Sequence, residues 1–134
     1  MFVHTTTVTM HDADAAGILF FARHFAFAHD AYEAFLASRS LGFARMLSDE
    51  TYITPLVHAE SDYKIPLHLG ERVTVHLHVE SIRKRKFCLR FELRNREDRV
   101  ACEVRTTHVA LDKGSRRAVP LPEELVHALE ACAD

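Results

Sequence analysis

The spacing of hydrophobic residues changes near Tyr52, and this change divides the chain into a helical part and a strand-rich part. Before it, residues 22–39 carry apolar side chains three and four positions apart, which predicts a long and largely buried helix. After it, apolar and polar residues alternate, which predicts β-strands. The alternation is clearest over residues 72–80 and 87–94, so we expect strands with one buried face there.

The other segments complete an α+β pattern. Their composition and spacing predict three more strands and two short helices. The strands are residues 2–10, 53–64 with Pro55 at an edge or bulge, and 100–111, and the helices lie around 43–49 and 120–132, the last with prolines at its start. The order of strand, long helix and four strands predicts a single α+β domain over residues 1–134. We expect a largely antiparallel sheet with the long helix against one face.

Composition and charge narrow the class of protein. The chain has 134 residues, 48% of them hydrophobic and 27% charged, which is typical of a soluble globular domain. A net charge of −2 gives no general attraction to nucleic acid or to an anionic membrane. No apolar run approaches the ~20 residues that span a bilayer, and MFVHTTTVTM has no signal-peptide pattern. We therefore expect a cytoplasmic protein with no nucleic-acid or membrane partner, and three cysteines without a CxxC pair fit a reducing compartment.

Several common catalytic and cofactor motifs are absent from the sequence. There is no GxSxG, no HExxH and no glycine-rich phosphate loop, and four glycines are too few for a dinucleotide fingerprint. His76 and His78 have a spacing that metal sites use, but the sequence shows no third ligand. A solvated or interface face of a strand explains the two histidines better. We expect neither a metal nor a cofactor.

The sequence HDADAAGILFF, residues 11–21, places two carboxylates directly before an apolar run. With the helical segment HDAYEAF after it, this motif resembles the hotdog-fold thioesterases, and more narrowly the 4-hydroxybenzoyl-CoA thioesterase group. The resemblance continues through TPLVHAESDYKIPLHLGERV and SIRKRKF, so it covers nearly the whole chain. Within the group, ADAAG and HDAYEAF are most similar to the 1,4-dihydroxy-2-naphthoyl-CoA hydrolases of menaquinone and phylloquinone biosynthesis. The resemblance implies a single hotdog domain, in which the sheet wraps around one long central helix.

The resemblance also assigns roles to residues of the motif. Asp14 matches the catalytic carboxylate of the group, which acts as a nucleophile or as a general base. Phe21 matches the position whose backbone N–H polarises the thioester carbonyl, and Phe in place of His there fits the aromatic-acyl branch. Gly17 would allow a tight turn and a close approach to the ligand. Asp12 is best explained as a loop carboxylate that accepts backbone N–H groups.

Two further sets of residues are candidates for substrate binding. In the resembling enzymes the turn Arg83-Lys84-Arg85-Lys86 lies near the phosphates of CoA, although such a charge run is also typical of a solvated hairpin. Strand alternation would put Arg83 and Arg85 on one face and Lys84 and Lys86 on the other. Phe20 and His29 are candidates for the acyl pocket. Polar residues of the long helix could recognise ring hydroxyls or be satisfied buried groups: His24, His29, Tyr32 and Glu33.

The expected function is therefore hydrolysis of an aromatic acyl-CoA, with 1,4-dihydroxy-2-naphthoyl-CoA as the first candidate substrate. The alternatives are a general or 4-hydroxybenzoyl-type acyl-CoA thioesterase and a non-catalytic acyl-CoA-binding domain. A hotdog hydratase is disfavoured, because that chemistry needs a His close after the Asp, and position 19 is Leu. The resemblance further implies a homodimer or homotetramer with the active site at the subunit interface.

Overall fold

The computed structural model describes residues 1–48 and 51–133. Five strands form one antiparallel sheet in the order β1-β4-β5-β6-β3, and two very short strands, β2 and β7, pair with each other separately. The sheet strands are β1 (Phe2–Thr7), β3 (Leu56–Tyr63), β4 (Arg72–Ile82), β5 (Lys86–Arg94) and β6 (Val100–Val109), and the short pair is β2 (Tyr52–Ile53) and β7 (Leu111–Asp112). The helices are α1 (Arg23–Ser38), α2 (Phe43–Ser48) and α3 (Glu123–Cys132).

The core forms where the alternating apolar rows of the sheet meet the helices. The inward-facing residues of β4 and β5 are fully buried, while their neighbours on the other face are partly exposed. Helix α1 packs against β4, β1, β6 and β5 and buries its apolar stripe there. The inward row consists of Val73, Val75, Leu77, Phe87, Leu89, Phe91 and Leu93. The alternating strands and the apolar stripe of the helix thus bury their hydrophobic side chains in one common layer, as the sequence predicted.

Two predicted strands differ from their expected bounds, for local reasons. The segment predicted over 53–64 is interrupted at Pro55, because proline has no N–H for the ladder, and a register shift follows between Leu56 and His58. The first strand ends at Thr7 instead of residue 10, because a 3₁₀ turn begins at Met10. Position 49, the last of the predicted second helix, lies outside the described residues.

The strand directions define two ends of the sheet. β1 and β3 finish at one end, beside the first residues of β4, and this is called the motif end. The turn between β4 and β5 lies at the opposite end, beside Leu56 of β3, and this is called the hairpin end. No helix within the described ranges is long and apolar enough to cross a membrane.

Candidate active site

Asp12 holds the loop between β1 and α1 in place from a buried position. Thr9 donates to Oδ2 of Asp12 from its backbone N–H over 3.0 Å and from its hydroxyl over 2.6 Å. Arg23 donates to Oδ1 from Nε over 3.0 Å and from Nη2 over 2.7 Å. Burial alone would raise the pKa of Asp12, but the Thr9 hydrogen bonds and the Arg23 charge hold the pKa below its ordinary value. Asp12 therefore ties the loop to the helix, which confirms its interpretation as a loop carboxylate.

Asp14 begins a tight turn and is exposed at the surface of the chain. The Gly17 N–H donates to the Asp14 carbonyl over 3.0 Å, and Gly17 has a φ of 75°, which glycine adopts without strain. Oδ1 of Asp14 accepts from the N–H groups of Ala16 over 2.8 Å and of Ile18 over 3.4 Å. Among the residues that the structure describes, no donor contacts Oδ2. The backbone thus orients the carboxylate and leaves one oxygen available to react.

The backbone N–H of Phe21 has no acceptor within residues 1–48 and 51–133. The preceding carbonyl, of Phe20, accepts from the Arg23 N–H over 2.8 Å, so the peptide that carries the free N–H is fixed. The Phe21 carbonyl accepts from the Tyr63 hydroxyl over 2.6 Å and pairs with Nδ1 of His24 at 3.1 Å. Both peptides at the start of α1 are therefore held, and the free N–H is a preorganised donor.

His24 is buried in the first turn of α1 and is neutral at pH 7. The Phe21 carbonyl can only accept, so Nδ1 of His24 carries the proton and Nε2 is unprotonated. Burial lowers the pKa of His24, although the hydrogen bond to Phe21 acts in the opposite direction. The Tyr63 ring lies edge-on to the imidazole, with centroids 4.7 Å apart. The sequence did not predict that Tyr63 contacts this turn, because Tyr63 follows Phe21 by 42 positions and no local sequence pattern indicates the contact.

Asp14, Phe21 and His24 line one cavity of about 440 Å³ at the motif end of the sheet, called the Asp14 cavity. Phe20 also lines it and packs against Phe21, with ring centroids 4.6 Å apart. Its other walls are Ile18, Leu19, Tyr63, Lys64, Ile65, Pro66 and Leu67. The residues that line the cavity thus include one with a carboxylate, one with a free N–H and several with apolar side chains. These are the groups needed for attack on an activated carbonyl. The predicted residues Asp14, Phe21 and Phe20 therefore come together, with Gly17 shaping the turn beside them.

The basic turn Arg83-Lys84-Arg85-Lys86 lies far from the Asp14 cavity of the same chain. It joins β4 to β5 at the hairpin end, and β4 alone has 11 residues, which corresponds to a length of about 33 Å. All four side chains are exposed. The expected alternation of faces across the turn is wrong, because Arg83–Arg85 lie outside the strands and only Lys86 has strand geometry.

His29 does not line the Asp14 cavity but a second one of about 500 Å³ between α1 and β3, called the aromatic cavity. Its walls are Phe25, Ala26, His29, Tyr32, Leu56, Ala59, Phe91, Thr106 and His108. Phe20 and His29, predicted together for the acyl pocket, are thus in different cavities. The two cavities lie side by side along α1, where the consecutive residues His24 and Phe25 line one each.

The described residues contain no group of three or more His, Cys, Asp or Glu side chains placed to hold a metal ion. His76 and His78 each have other contacts. Nδ1 of His76 lies 3.4 Å from the sulfur of Met1, and Nε2 of His78 lies 3.3 Å from a carboxylate oxygen of Glu92. The two histidines therefore belong to the polar face of the sheet.

The sequence matches the family model described as the thioesterase-like superfamily over residues 8–129. It is 35% identical over 124 residues to a 1,4-dihydroxy-2-naphthoyl-CoA hydrolase of Synechococcus elongatus, covering 92% of this chain and 90% of that protein. It is 31% identical over 123 residues to the hydrolase of the same name from Synechocystis, covering 91% of this chain and 89% of that protein. The similarity therefore extends over most of the chain.

The fold is also similar to solved structures. A 1,4-dihydroxy-2-naphthoyl-CoA thioesterase from Synechocystis superposes with a TM-score of 0.89 at 30% identity, covering 96% of this chain and 94% of that one. A gentisyl-coenzyme A thioesterase superposes with a TM-score of 0.85 at 22% identity, which shows the shared fold alone. Both comparisons extend across the sheet, the loop with Asp14 and helix α1.

Proposed function

Because this chain belongs to the thioesterase-like superfamily, we propose that it is an acyl-CoA thioesterase that hydrolyses 1,4-dihydroxy-2-naphthoyl-CoA. The observation that supports the reaction most directly is the Asp14 cavity. There, Asp14 and Phe21 line the same apolar space, and among the described residues one oxygen of Asp14 and the N–H of Phe21 have no hydrogen-bond partner. The proposed substrate class follows from the relatives and from the aromatic walls beside that space.

In the proposed reaction Asp14 acts on the thioester carbonyl in one of two ways. As a nucleophile, its carboxylate oxygen bonds to the carbonyl carbon, the C–S bond breaks, and water then hydrolyses the mixed anhydride. As a general base, it takes a proton from the water that attacks the carbonyl directly. In both cases the sulfur leaves as a thiolate, whose conjugate acid has a pKa near ~8.5, so no strong general acid is required.

The Phe21 N–H supplies the oxyanion site in this proposal. Negative charge develops on the carbonyl oxygen as the tetrahedral intermediate forms, and a preorganised donor of this kind is worth about 3 kcal/mol. Tyr63 and His24 act indirectly, since both fix the Phe21 carbonyl. Phe20 and Phe21 line the apolar side of the cavity.

The fold leaves β3 as an edge strand, and this edge suggests how the site is completed. Among the residues that the structure describes, β3 pairs on one side only, with β6, and nearly all of its residues are exposed. We propose that two copies pair along this edge into a continuous sheet, with α1 as the central helix of each hotdog domain. Residues 1–134 form one such domain, and pairs of dimers would form a homotetramer. We place the protein in the cytoplasm.

This pairing would bring the basic turn to the active site from the partner subunit. In a two-fold antiparallel β3 pair, Leu56 of one copy lies beside Tyr63 of the other, so the hairpin end of one copy meets the motif end of the next. Arg83, Lys84, Arg85 and Lys86 of one subunit could then bind the phosphates of a CoA whose thioester lies near Asp14 of its partner. The length of one sheet prevents the same contact within a single chain.

A panel of CoA thioesters tests this function. Steady-state hydrolysis is measured for 1,4-dihydroxy-2-naphthoyl-CoA, 4-hydroxybenzoyl-CoA, benzoyl-CoA and a medium-chain acyl-CoA. The proposal predicts that kcat/KM for the naphthoyl thioester exceeds the others by about a hundredfold or more. Similar weak turnover of all four would identify a general acyl-CoA thioesterase. No turnover of any would favour a non-catalytic acyl-CoA-binding domain.

A further inference from the structure

Besides His29 on α1, the aromatic cavity has a polar wall on β6, formed by Thr106 and His108. Both side chains are nearly inaccessible, at 7% and 2% exposure, yet both line the cavity. Apolar and aromatic residues of α1, β3 and β5 form most of the remaining surface, including Phe25 and Phe91. A volume of about 500 Å³ is within the usual range for a small-molecule site and accommodates a bicyclic aromatic ring.

The hydrogen bonds of Thr106 and His108 determine which of their atoms carry protons. Nδ1 of His108 lies 3.3 Å from the Thr54 carbonyl, which can only accept, so Nδ1 carries the proton. Burial lowers the pKa of His108 to about 4, so the ring is neutral at pH 7 and Nε2 is unprotonated. Oγ1 of Thr106 lies 3.1 Å from Nε2 and must donate its single proton to it.

Aromatic neighbours prevent His108 from turning to another arrangement. Its ring stacks on Phe87, with centroids 5.1 Å apart and planes only 8° from parallel. Tyr32 covers it from the helix, with centroids 4.7 Å apart. Packing therefore fixes the direction of both hydrogen bonds, in which Thr106 donates to His108 and His108 donates to the Thr54 carbonyl. Because its own proton is committed to His108, the Thr106 oxygen can only accept a hydrogen bond from a group in the cavity.

We propose that the aromatic cavity receives the acyl ring, that Thr106 selects a ring hydroxyl by accepting its hydrogen bond, and that His108 is the residue that positions Thr106 for this task. This inference rests on the proposed function. It assigns the specificity for hydroxylated rings to two residues that sequence reasoning did not single out. A phenolic O–H matches an acceptor in this position, whereas an unsubstituted ring leaves the acceptor capacity of this buried oxygen unused.

The test measures binding instead of turnover, so that its result does not depend on catalysis. The probes are two CoA thioethers that cannot be hydrolysed, because a methylene separates the ring-bearing carbonyl from sulfur. One carries a 1,4-dihydroxy-2-naphthyl ring and the other an unsubstituted 2-naphthyl ring. Dissociation constants of both are measured by calorimetry for the unmodified protein and for Thr106→Val, Thr106→Ala, Thr106→Ser and Thr107→Val.

The proposal predicts that the unmodified protein prefers the dihydroxy probe by about tenfold, and that Thr106→Val abolishes this preference. Thr106→Ser keeps the hydroxyl and retains the preference. Thr107→Val, on the opposite face of the same strand, also retains it, and Thr106→Ala provides a second variant without a hydroxyl. Equal affinities for both probes in the unmodified protein, or an unchanged preference in Thr106→Val and Thr106→Ala, would overturn the inference. Failure of the hydrolysis panel would instead count against the proposed reaction.

Discussion

At the scale of single residues, the two carboxylates of the motif look alike in the sequence but have different surroundings in the structure. Asp12 is buried and its two oxygens accept four hydrogen bonds, from Thr9 and Arg23. Asp14 is exposed, and within the described part of the chain only its Oδ1 accepts hydrogen bonds, both from backbone N–H groups of the turn that follows it. The first carboxylate therefore stabilises the loop, and the second is the one that can react.

Asp12→Asn is expected to destabilise the protein in a pH-dependent way. The pKa of Asp12 in the folded chain lies below its ordinary value of 3.8, so its charge stabilises the fold above that pH. This contribution is lost as the pH falls through the lowered pKa. Removing the charge should cost about 1 to 3 kcal/mol at pH 7, measured by denaturant unfolding. The difference from the unmodified protein should narrow below pH 3.8, and a difference that stays constant down to pH 2.5 would contradict the assignment.

Local chemistry allowed part of the site to be predicted from the sequence. The spacing of Asp14 and Gly17 indicates a turn, because Asp accepts N–H groups two residues on and glycine adopts positive φ. The hydrogen bond from Tyr63 to the Phe21 carbonyl could not be predicted. It depends on how the end of β3 packs against the start of α1, and the sequence carries no local signal of that contact.

At the scale of elements, the turn from Asp14 to Gly17 links the backbone conformation to the placement of the carboxylate. Gly17→Ala is expected to destabilise the fold by about 1 kcal/mol, because an L side chain is disfavoured at a φ of 75°. A shift of the turn would also displace the N–H groups of Ala16 and Ile18 that hold Asp14. We expect kcat for the naphthoyl thioester to fall by roughly ten- to a hundredfold.

Gly70→Ala is the matched control for this variant. Gly70 also has a positive φ, of 85°, and an added Cβ has no heavy atom within 4 Å at either glycine. Unfolding experiments should therefore give similar losses of stability for both variants, while kcat should fall in Gly17→Ala alone. An equal loss of kcat in the two variants would mean that strain itself, and not the position of Asp14, limits the reaction.

The elements that the sequence predicted best are those with a long, regular period. β4 and β5 have 11 and 9 residues and alternate over most of that length, so their buried faces could be assigned without a structure. β2 and β7 have two residues each, too few for any period to be visible. The alternation was wrongly extended across Arg83–Arg85, because a tight turn does not keep the geometry of the strands that it joins.

At the scale of the whole molecule, the two predicted sites lie at opposite ends of one sheet. Strand order and direction determine that separation, and neither can be read from local patterns. In the dimer proposed above, this separation means that the basic turn of one copy assists Asp14 of the other. The quaternary structure and the mechanism are therefore linked in this account.

Subunit mixing tests this link. Asp14→Asn lacks the reactive carboxylate, and the double variant Arg83→Ala with Arg85→Ala loses two of the four positive charges of the basic turn. If the turn acts across the interface, a heterodimer of the two contains one intact site, with Asp14 from one subunit and the basic turn from the other. Co-expression of differently tagged subunits, followed by isolation of the mixed species, should recover about half of the normal kcat/KM per dimer. Activity no higher than that of the two parent variants would contradict the shared site.

The central claim is that Asp14 carries out thioester hydrolysis, and the most direct test is the kinetics of Asp14→Asn with 1,4-dihydroxy-2-naphthoyl-CoA. We predict a fall in kcat of about a thousandfold or more, with the affinity for the dihydroxynaphthyl thioether unchanged within about threefold. Asp98→Asn, an exposed turn aspartate at the same end of the sheet, serves as the matched control and should retain full activity. Retention of more than about a tenth of kcat by Asp14→Asn would contradict the account.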